Sequence, residues 1–482
     1  MLSNPIRHSS LDVLPAMNHS KTRFAPSPTG LMHLGNARTA LFSALFGDRF
    51  LLRIEDTDLE RSRSEFVSEL LDDLRWMGLS WDEGPQSALP DEDYFQSQRG
   101  RIYQHYYAQL EQEGLVYPCF CSPLELEVAR KVQLSSGQPP RYSGKCARLS
   151  PDEVNKRLAE GIRPTLRFRV SKGETVEFLD QVRGLQKFDT DDIGDFIIRR
   201  ADGSPAFFFC NAIDDALMGV THVLRGEDHL TNTPRQLLLL KALGLPTPEY
   251  AHISLILGED GAPLSKRNGS RSLNQLREEG YLPLALVNML ARVGHHYDSE
   301  EIMELDALKR QFDIRHLGKS PSRFDPCHLK HWQEVAVRGT DDEILWEWLR
   351  LETRAVVPEA HKSRFLDIVR SNCVFPDEAD QWARILFTDE LRLAPEIEEV
   401  AKQAGEPFFL AALDAAATAG DNFDTFMNAL KAKSGAKGKQ LFMPLRAALT
   451  GRLDGPEVAK LYQALDPYRL RIRFAEFAGE AL

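Results

Sequence analysis

The stretch from Thr22 to Ile54 constrains this 482-residue chain more than any other. Thr22 to Ala25 reads as a short strand and Pro26 to Gly35 as a loop punctuated by proline and glycine. Asn36 to Phe46 then reads as a helix with Asn36 as its expected cap, and Arg49 to Ile54 as a second strand. Strand, loop, helix and strand in that order build a right-handed βαβ unit, and therefore a parallel sheet. Ser62 to Met77 follows with Phe66, Leu70, Leu74 and Met77 on one helical face and Gly78 as its C-terminal stop. One hydrophobic core rarely spans so long a chain, so two to four domains are expected.

Composition narrows the class. Hydrophobic residues at 43% and charged residues at 27% are ordinary globular usage, which excludes a disordered, collagen-like or coiled-coil chain. The sequence lacks an apolar run long enough to span a bilayer, and Met1 to Ser20 lacks a secretory core, so no membrane partner and a cytoplasmic location are expected. Six cysteines are too few for a disulfide scaffold. A net charge of −12 argues against nucleic-acid binding by the whole surface. Residues 421–482 reverse that balance, with ten Lys or Arg against seven Asp or Glu, and point to a local anionic partner.

The pattern divides the chain. Residues 1–21 read as an unstructured extension and 22–116 as the first half of an α/β domain. Residues 117–203, with short β-like runs such as Thr165 to Val170 and Phe196 to Arg199, read as an insertion. In 204–258 the α/β pattern resumes, with Ala206 to Cys210 and Thr221 to Leu224 as buried strands and a helix from Thr233-Pro234 to Gly244. A connecting region, 259–335, leads into 336–482, where helical stretches such as Glu343 to Leu351 and Phe408 to Ala419 dominate.

Two segments carry chemistry. Arg23 to Asn36 sets His33 and Gly35 at the entrance to a helix, whose unpaired N–H groups and partial positive charge can hold a polyphosphate. Gly35 lets phosphate approach the backbone and His33 can donate to it. Taken alone, a histidine packed in a turn is the commoner outcome for such a pair. Downstream, Gly261 to Gly269 places Lys266 and Arg267 in a glycine-flanked loop, where a cation can close over a transferring phosphate; taken alone it is as readily a solvated basic turn.

Together the two segments resemble the signatures of bacterial glutamyl-tRNA synthetases, members of class I: Pro26 to Asn36 matches the "HIGH" segment and Leu264 to Arg267 the "KMSKS" segment. Arg53 to Asp58, Ile213 to Asp228, and Lys437-Gly438-Lys439 followed by Pro444 to Gly451 extend the resemblance from about residue 22 to the end. It implies a multidomain α/β plus all-α protein. A doubly wound, Rossmann-type catalytic sheet would carry an α/β acceptor-binding insertion and a C-terminal helical anticodon-binding domain. The implied substrates are ATP with Mg²⁺, L-glutamate and tRNA(Glu), tRNA(Gln) or both, with a monomer as the family default.

Carried onto this chain, the resemblance puts Pro26, Ser27, Thr29, Gly30, His33, Gly35, Asn36, Ser265 and Lys266 at ATP, with His33, Lys266 and Arg267 catalytic. It puts Arg23, Glu55, Phe207 and Arg225 at glutamate, a guanidinium forming a bidentate pair with the side-chain carboxylate and an acid receiving the α-ammonium. Two departures stand out. Phe207 occupies a position where many members have tyrosine, and Pro263 one where the second signature usually has its first lysine, so activation is expected to be slower or more dependent on tRNA. Cys119, Cys121 and Cys146 resemble zinc ligands of some members; Arg148 stands where a histidine would complete the set. Tyr142 is then the candidate fourth ligand, as in a paralogue that modifies queuosine on tRNA, and three buried free thiols are the other reading. Cys210, Cys327 and Cys373 read as core residues. Lys437, Lys439 and Arg446 lie in the stretch that resembles the anticodon-binding region. The rival readings are a glutaminyl-tRNA synthetase, disfavoured by the helical C-terminal third, and a tRNA-binding relic of the same family without catalysis.

Overall fold

A computed structural model describes residues 19–58, 60–87, 90–137, 139–264, 271–388 and 395–479. Most of the N-terminal extension, and Ser265, Lys266 and Arg267 of the second signature, lie outside the described residues. The chain forms two compact units, Met1–Asn274 with Val287–Asp325, and Gln275–Leu286 with Pro326–Leu482.

The first unit opens with the expected crossover. Strands β1 (Lys21–Phe24) and β2 (Arg49–Leu52) pair in parallel, Lys21 opposite Arg49 and Phe24 opposite Leu52. The helix between them, Leu34–Phe46, is buried through Leu34, Ala37, Leu41, Phe42 and Leu45. It starts two residues before Asn36: His33 takes the cap position in an extended conformation, and its side chain makes no capping hydrogen bond. Asn36 therefore sits in the first turn rather than capping it, because the loop enters the helix through His33 and Leu34.

Strands β3 (Val116–Cys119), β4 (Thr165–Phe168), β5 (Thr175–Asp180), β6 (Gly184–Asp189) and β7 (Phe196–Arg199) follow. β3, β4 and β7 form one antiparallel sheet. β5 and β6 are a hairpin that joins a different sheet, ordered β6-β5-β9-β8 with β8 (His222–Gly226) and β9 (Glu249–Ile253), in which β5 and β8 both run parallel to β9. Although it lies within residues 117–203, this hairpin thus extends the parallel sheet. β1 adjoins β8, since Thr221 donates its amide to the Lys21 carbonyl at 2.9 Å and Arg23 donates to the Leu224 carbonyl at 3.3 Å. β10 (Ile256–Leu257) and β11 (Ser322–Arg323) form a short parallel pair.

One expected strand is a helix. Ala206 is the cap of the helix Phe207–Leu217, in which every residue from Phe209 to Ala216 is buried. A fully buried run shows no amphipathic period, so hydrophobicity alone does not separate strand from helix there. Phe209 stacks on Tyr107 with ring centroids 4.3 Å apart, inside a core that also holds Leu166, Phe168, Ile198 and Leu239.

The described regular elements of the second unit are all helices. Phe426 stacks on Tyr462 and Phe474 at centroid distances of 4.4 and 5.9 Å, joining the helices Phe423–Ser434, Val458–Ala464 and Pro467–Ala478. Gln275–Leu286 belongs here because Trp348 donates its indole N–H to the Gly280 carbonyl at 2.7 Å and Gln333 accepts the Leu282 amide at 2.8 Å. Among the described residues no helix is long and apolar enough to cross a membrane. Cys210 and Cys373 are buried as expected; Cys327 is exposed, at the second position of the helix Pro326–Gly339, and is not a core residue.

Candidate active site

The C-terminal ends of β1 and β8, the first turn of the helix Leu34–Phe46 and the start of the helix Phe207–Leu217 surround a cavity of about 360 Å³. Ligands of open parallel sheets lie at this end of the strands. Arg23, Pro26, Ser27, Thr29, His33, Gly35, Asn36, Glu55, Phe207 and Arg225 all line it. Gly30 is in the same loop but outside the lining, and a Cβ placed on it would meet nothing within 4 Å. A Cβ on Gly35 would meet only the His33 ring, at 3.7 Å, so the protein itself leaves room there. Pro263 and Leu264, which lead into the second signature, line the same cavity, held by the Leu264 amide on the Ile256 carbonyl at 2.8 Å.

Behind the cavity lies a buried ionic platform. Asp215 receives Arg53 Nη2 at 2.7 Å and Arg23 Nε at 3.4 Å, while Asp214 receives Arg99 Nε at 2.8 Å, Gln96 Nε2 at 2.9 Å and the Tyr103 hydroxyl at 2.6 Å. Burial pushes the Asp215 carboxyl up, yet Arg53 and Arg23 beside it hold it below the usual carboxylate range. The acidic pair has no assigned task in the sequence reading. Two adjacent aspartates inside an apolar run are nevertheless a visible signal, since carboxylates are almost never fully buried unless paired.

Glu55 is only partly exposed, and desolvation pushes its carboxyl up to about 7 against the Asn211 hydrogen bond and the charges of Arg53 and Arg23. Arg225 is buried, and burial brings it down to about 10. Its Nε faces His252 and its Nη2 donates to Thr233 Oγ1 and Gln236 Oε1, both at 2.8 Å. Of the five guanidinium donors only the two on Nη1 remain, and Nη1 has no partner among the described residues. A side-on bidentate grip is therefore closed to Arg225. Phe207 stacks on His229 at 5.2 Å and 24°, and burial pushes that imidazole down to about 4.

A second cavity, about 1350 Å³, opens on the insertion side and is also lined by Phe207. Six cations line it, Arg130, Arg141, Lys145, Arg167, Arg200 and Arg235, against the acids Glu125 and Asp195. Next to it the sulfurs of Cys119, Cys121 and Cys146 lie within 4.8 Å of one another. The Tyr142 hydroxyl is 3.4 Å from both Cys119 and Cys121 sulfurs, and Arg148 is exposed. Burial raises the Cys119 thiol, but its hydrogen bonding with Tyr142 and Arg167 brings it down to about 7. Three thiols converging in this way suit three of the four positions of a structural zinc site, with the Tyr142 hydroxyl beside them.

In the second unit Lys439 opens the helix Lys439–Thr450 and lines a cavity of about 590 Å³ with Lys433, Phe408 and Met443. Lys437 is exposed beside it, outside the lining. Arg446 is half-buried and donates to the Pro456 carbonyl at 2.5 Å, so it braces the fold there.

A helix start beside two arginines and an acid, on a parallel sheet that precedes a helical unit, is the arrangement expected of a class I aminoacyl-tRNA synthetase. Residues 19–331 match the family described as tRNA synthetases class I (E and Q), catalytic domain, and residues 343–478 match an anticodon binding domain. Glutamate–tRNA ligase 1 of Methylococcus capsulatus is 70% identical over 465 residues, 96% of this chain and all of that one. Glutamate–tRNA ligase 2 of Nitrosococcus oceani is 57% identical over 94% of this chain and 97% of its own. The crystal structure of a glutamate tRNA ligase from Elizabethkingia meningosepticum in complex with its amino acid superposes with a TM-score of 0.85 at 28% identity, covering 96% of this chain and 99% of that one. The chain belongs to the glutamate–tRNA ligase family of bacteria.

Proposed function

We propose that this chain activates L-glutamate with ATP and attaches it to the 3′ end of tRNA(Glu), acting as a monomer in the cytoplasm. The observation that carries the reading is the single cavity that brings the His33–Gly35 helix start together with Arg23, Glu55 and Arg225. In the first step the glutamate α-carboxylate oxygen attacks the α-phosphorus of ATP; the new P–O bond forms as the bond to pyrophosphate breaks, giving glutamyl-adenylate and pyrophosphate. In the second, the hydroxyl of the terminal adenosine attacks the activated carbonyl and AMP leaves.

No side chain becomes covalently bonded. Catalysis rests on position and charge. Arg23 keeps Nη2 clear of its bonds to Asp215 and Leu224, and with Arg225 Nη1 it holds the substrate's side-chain carboxylate. Glu55, once ionised, receives the α-ammonium. His33, Gly35 and the open first turn hold the phosphates of the magnesium-bound nucleotide, with Ser265, Lys266 and Arg267 supplied by the second signature. The cation-lined cavity next door shares Phe207 with the substrate cavity and suits the acceptor end of the tRNA. Lys437 and Lys439 serve the anticodon side. Zinc on Cys119, Cys121, Cys146 and Tyr142 would be structural, tying β3 to the turn at Cys146; metal analysis of the purified protein should find about one zinc per chain, lost on Cys146→Ser.

The deciding experiment measures glutamate attachment to tRNA(Glu) and tRNA(Gln) in parallel with ATP and Mg²⁺, with Lys266→Ala as control. Relatives numbered both 1 and 2 make the paired comparison necessary. Charging of tRNA(Glu) that collapses in the control is the expected result. Charging of tRNA(Gln) alone would overturn the tRNA assignment, and no charging of either would overturn the reading.

A further inference from the structure

Arg225 does not choose its own orientation. Asp180, at the end of β5, and His252, on β9, are both fully buried, and Asp180 Oδ2 lies 2.6 Å from His252 Nδ1. Asp180 Oδ1 accepts the amides of Val182 and Arg183 at 3.0 and 2.7 Å, and the amide of His252 lies 3.2 Å from Oδ2, so the carboxylate is stabilised as an anion by fixed backbone donors. A carboxylate only accepts. Nδ1 of His252 must therefore carry a proton, and because burial pushes the imidazole down and keeps it neutral, Nε2 presents its lone pair. At 3.2 Å from Nε2 stands Arg225 Nε, whose N–H needs that lone pair, and the Thr233 hydroxyl lies 3.1 Å from the same atom. Thr233 and Gln236 then take both protons of Nη2, and Nη1 alone is left without a partner among the described residues, buried in a side chain that lines the cavity.

We infer that Asp180 and His252 are positioning residues for glutamate: Asp180 selects the His252 tautomer, and that tautomer locks Arg225 with Nη1 presented to the substrate carboxylate. The inference rests on the reading of Arg225 as a glutamate-binding residue. With the other tautomer, Nε2–H and Arg225 Nε–H would be two donors facing each other, and the guanidinium would have to turn away. Asp180 and His252 are not among the residues that line the cavity and reach it through Arg225, so their loss should register in glutamate binding and not in ATP binding.

The test is steady-state aminoacylation of tRNA(Glu) with glutamate and ATP varied separately, on Arg225→Lys, Asp180→Asn, His252→Asn, His252→Gln and the doubles Arg225→Lys/Asp180→Asn and Arg225→Lys/His252→Asn, each checked by thermal melting. Arg225→Lys tests the underlying reading: an unchanged KM for glutamate would remove Arg225 from the substrate and the inference with it. Given a raised KM there, Asp180→Asn and His252→Asn should each raise the glutamate KM roughly tenfold or more with the ATP KM within about twofold of wild type. His252→Gln, which keeps an acceptor where Nε2 stood, should recover most of the loss. Adding either substitution to Arg225→Lys should cost almost nothing further, since both act through Arg225. An unchanged glutamate KM in the Asp180 and His252 variants would overturn the inference, as would equal rises for glutamate and ATP or full additivity in the doubles. If Asp180→Asn does not fold, the two His252 variants and their double decide.

Discussion

Glu55 carries the clearest pH signature of any single side chain in the site. Its carboxyl is raised from 4.5 to about 7, so the folded enzyme holds a proton there that the unfolded chain has already released. Between those values the fold binds more protons than the unfolded state, and the contribution of Glu55 to stability is present below pH 4.5 and lost as the pH rises through about 7. Glu55→Gln removes the titration, so its melting temperature relative to wild type should rise across that window and level off above it. The same variant should raise the glutamate KM, and the wild-type glutamate KM should climb as the pH drops below about 7, by roughly tenfold per pH unit at the limit. Gly35 makes a second prediction. Alanine there meets only the His33 ring, at 3.7 Å, and removes a helical glycine, so Gly35→Ala should be about 0.5–1 kcal/mol more stable in denaturant unfolding while its ATP KM rises roughly tenfold or more. A raised KM with raised stability would separate the phosphate's need for space from any need of the fold. His33, Gly35, Arg23, Glu55 and Arg225 were legible in the sequence because each sits in a short motif. Asp180 and His252 were not: 72 residues separate them, and no motif spacing reports a pairing that β5 and β9 create.

Among the elements, the helix Phe207–Leu217 does most to shape the site. Its first residue lines both cavities, and its last turns carry Asp214 and Asp215 into the core beneath Arg23 and Arg53. Asp215→Asn leaves two buried guanidiniums facing a neutral amide. It should cost about 3–5 kcal/mol of unfolding free energy, measured in urea, and lower kcat/KM for glutamate by releasing Arg23. The start of this helix, Ala206 to Cys210, reads as a strand in sequence for a physical reason: once all faces are buried, the 3.6-residue period that marks a helix disappears. By contrast Thr233–Leu243 was legible, with proline in its first turn and Gly244 in a left-handed conformation at its end, because its start and stop signals are local. The hairpin β5–β6 shows the complementary limit. Its strands lie inside the 117–203 stretch that reads as an insertion, and the sheet they join depends on β9, far along the chain.

At the scale of the whole molecule, an acidic chain of net charge −12 gathers cations around two of its cavities. Six line the 1350 Å³ cavity of the first unit, and Lys433 and Lys439 line the 590 Å³ cavity of the second. Raising the salt from about 50 to about 200 mM should therefore raise the KM for tRNA roughly tenfold or more while leaving the glutamate KM within about twofold; a flat tRNA response would mean that these cations do not meet phosphates. The sequence by itself determined the βαβ opening, the helical C-terminal third and the signatures that place the chain in its family, since all of these depend on residues close together along the chain. Only the tertiary structure decided which donors of Arg225 stay free, which carboxylates brace Arg23, and that Arg446 braces Pro456. Periodicity and caps are short-range effects, whereas the convergence of buried charges is set by strand order across the sheet, and a buried charge is tolerated only where that order supplies its partner.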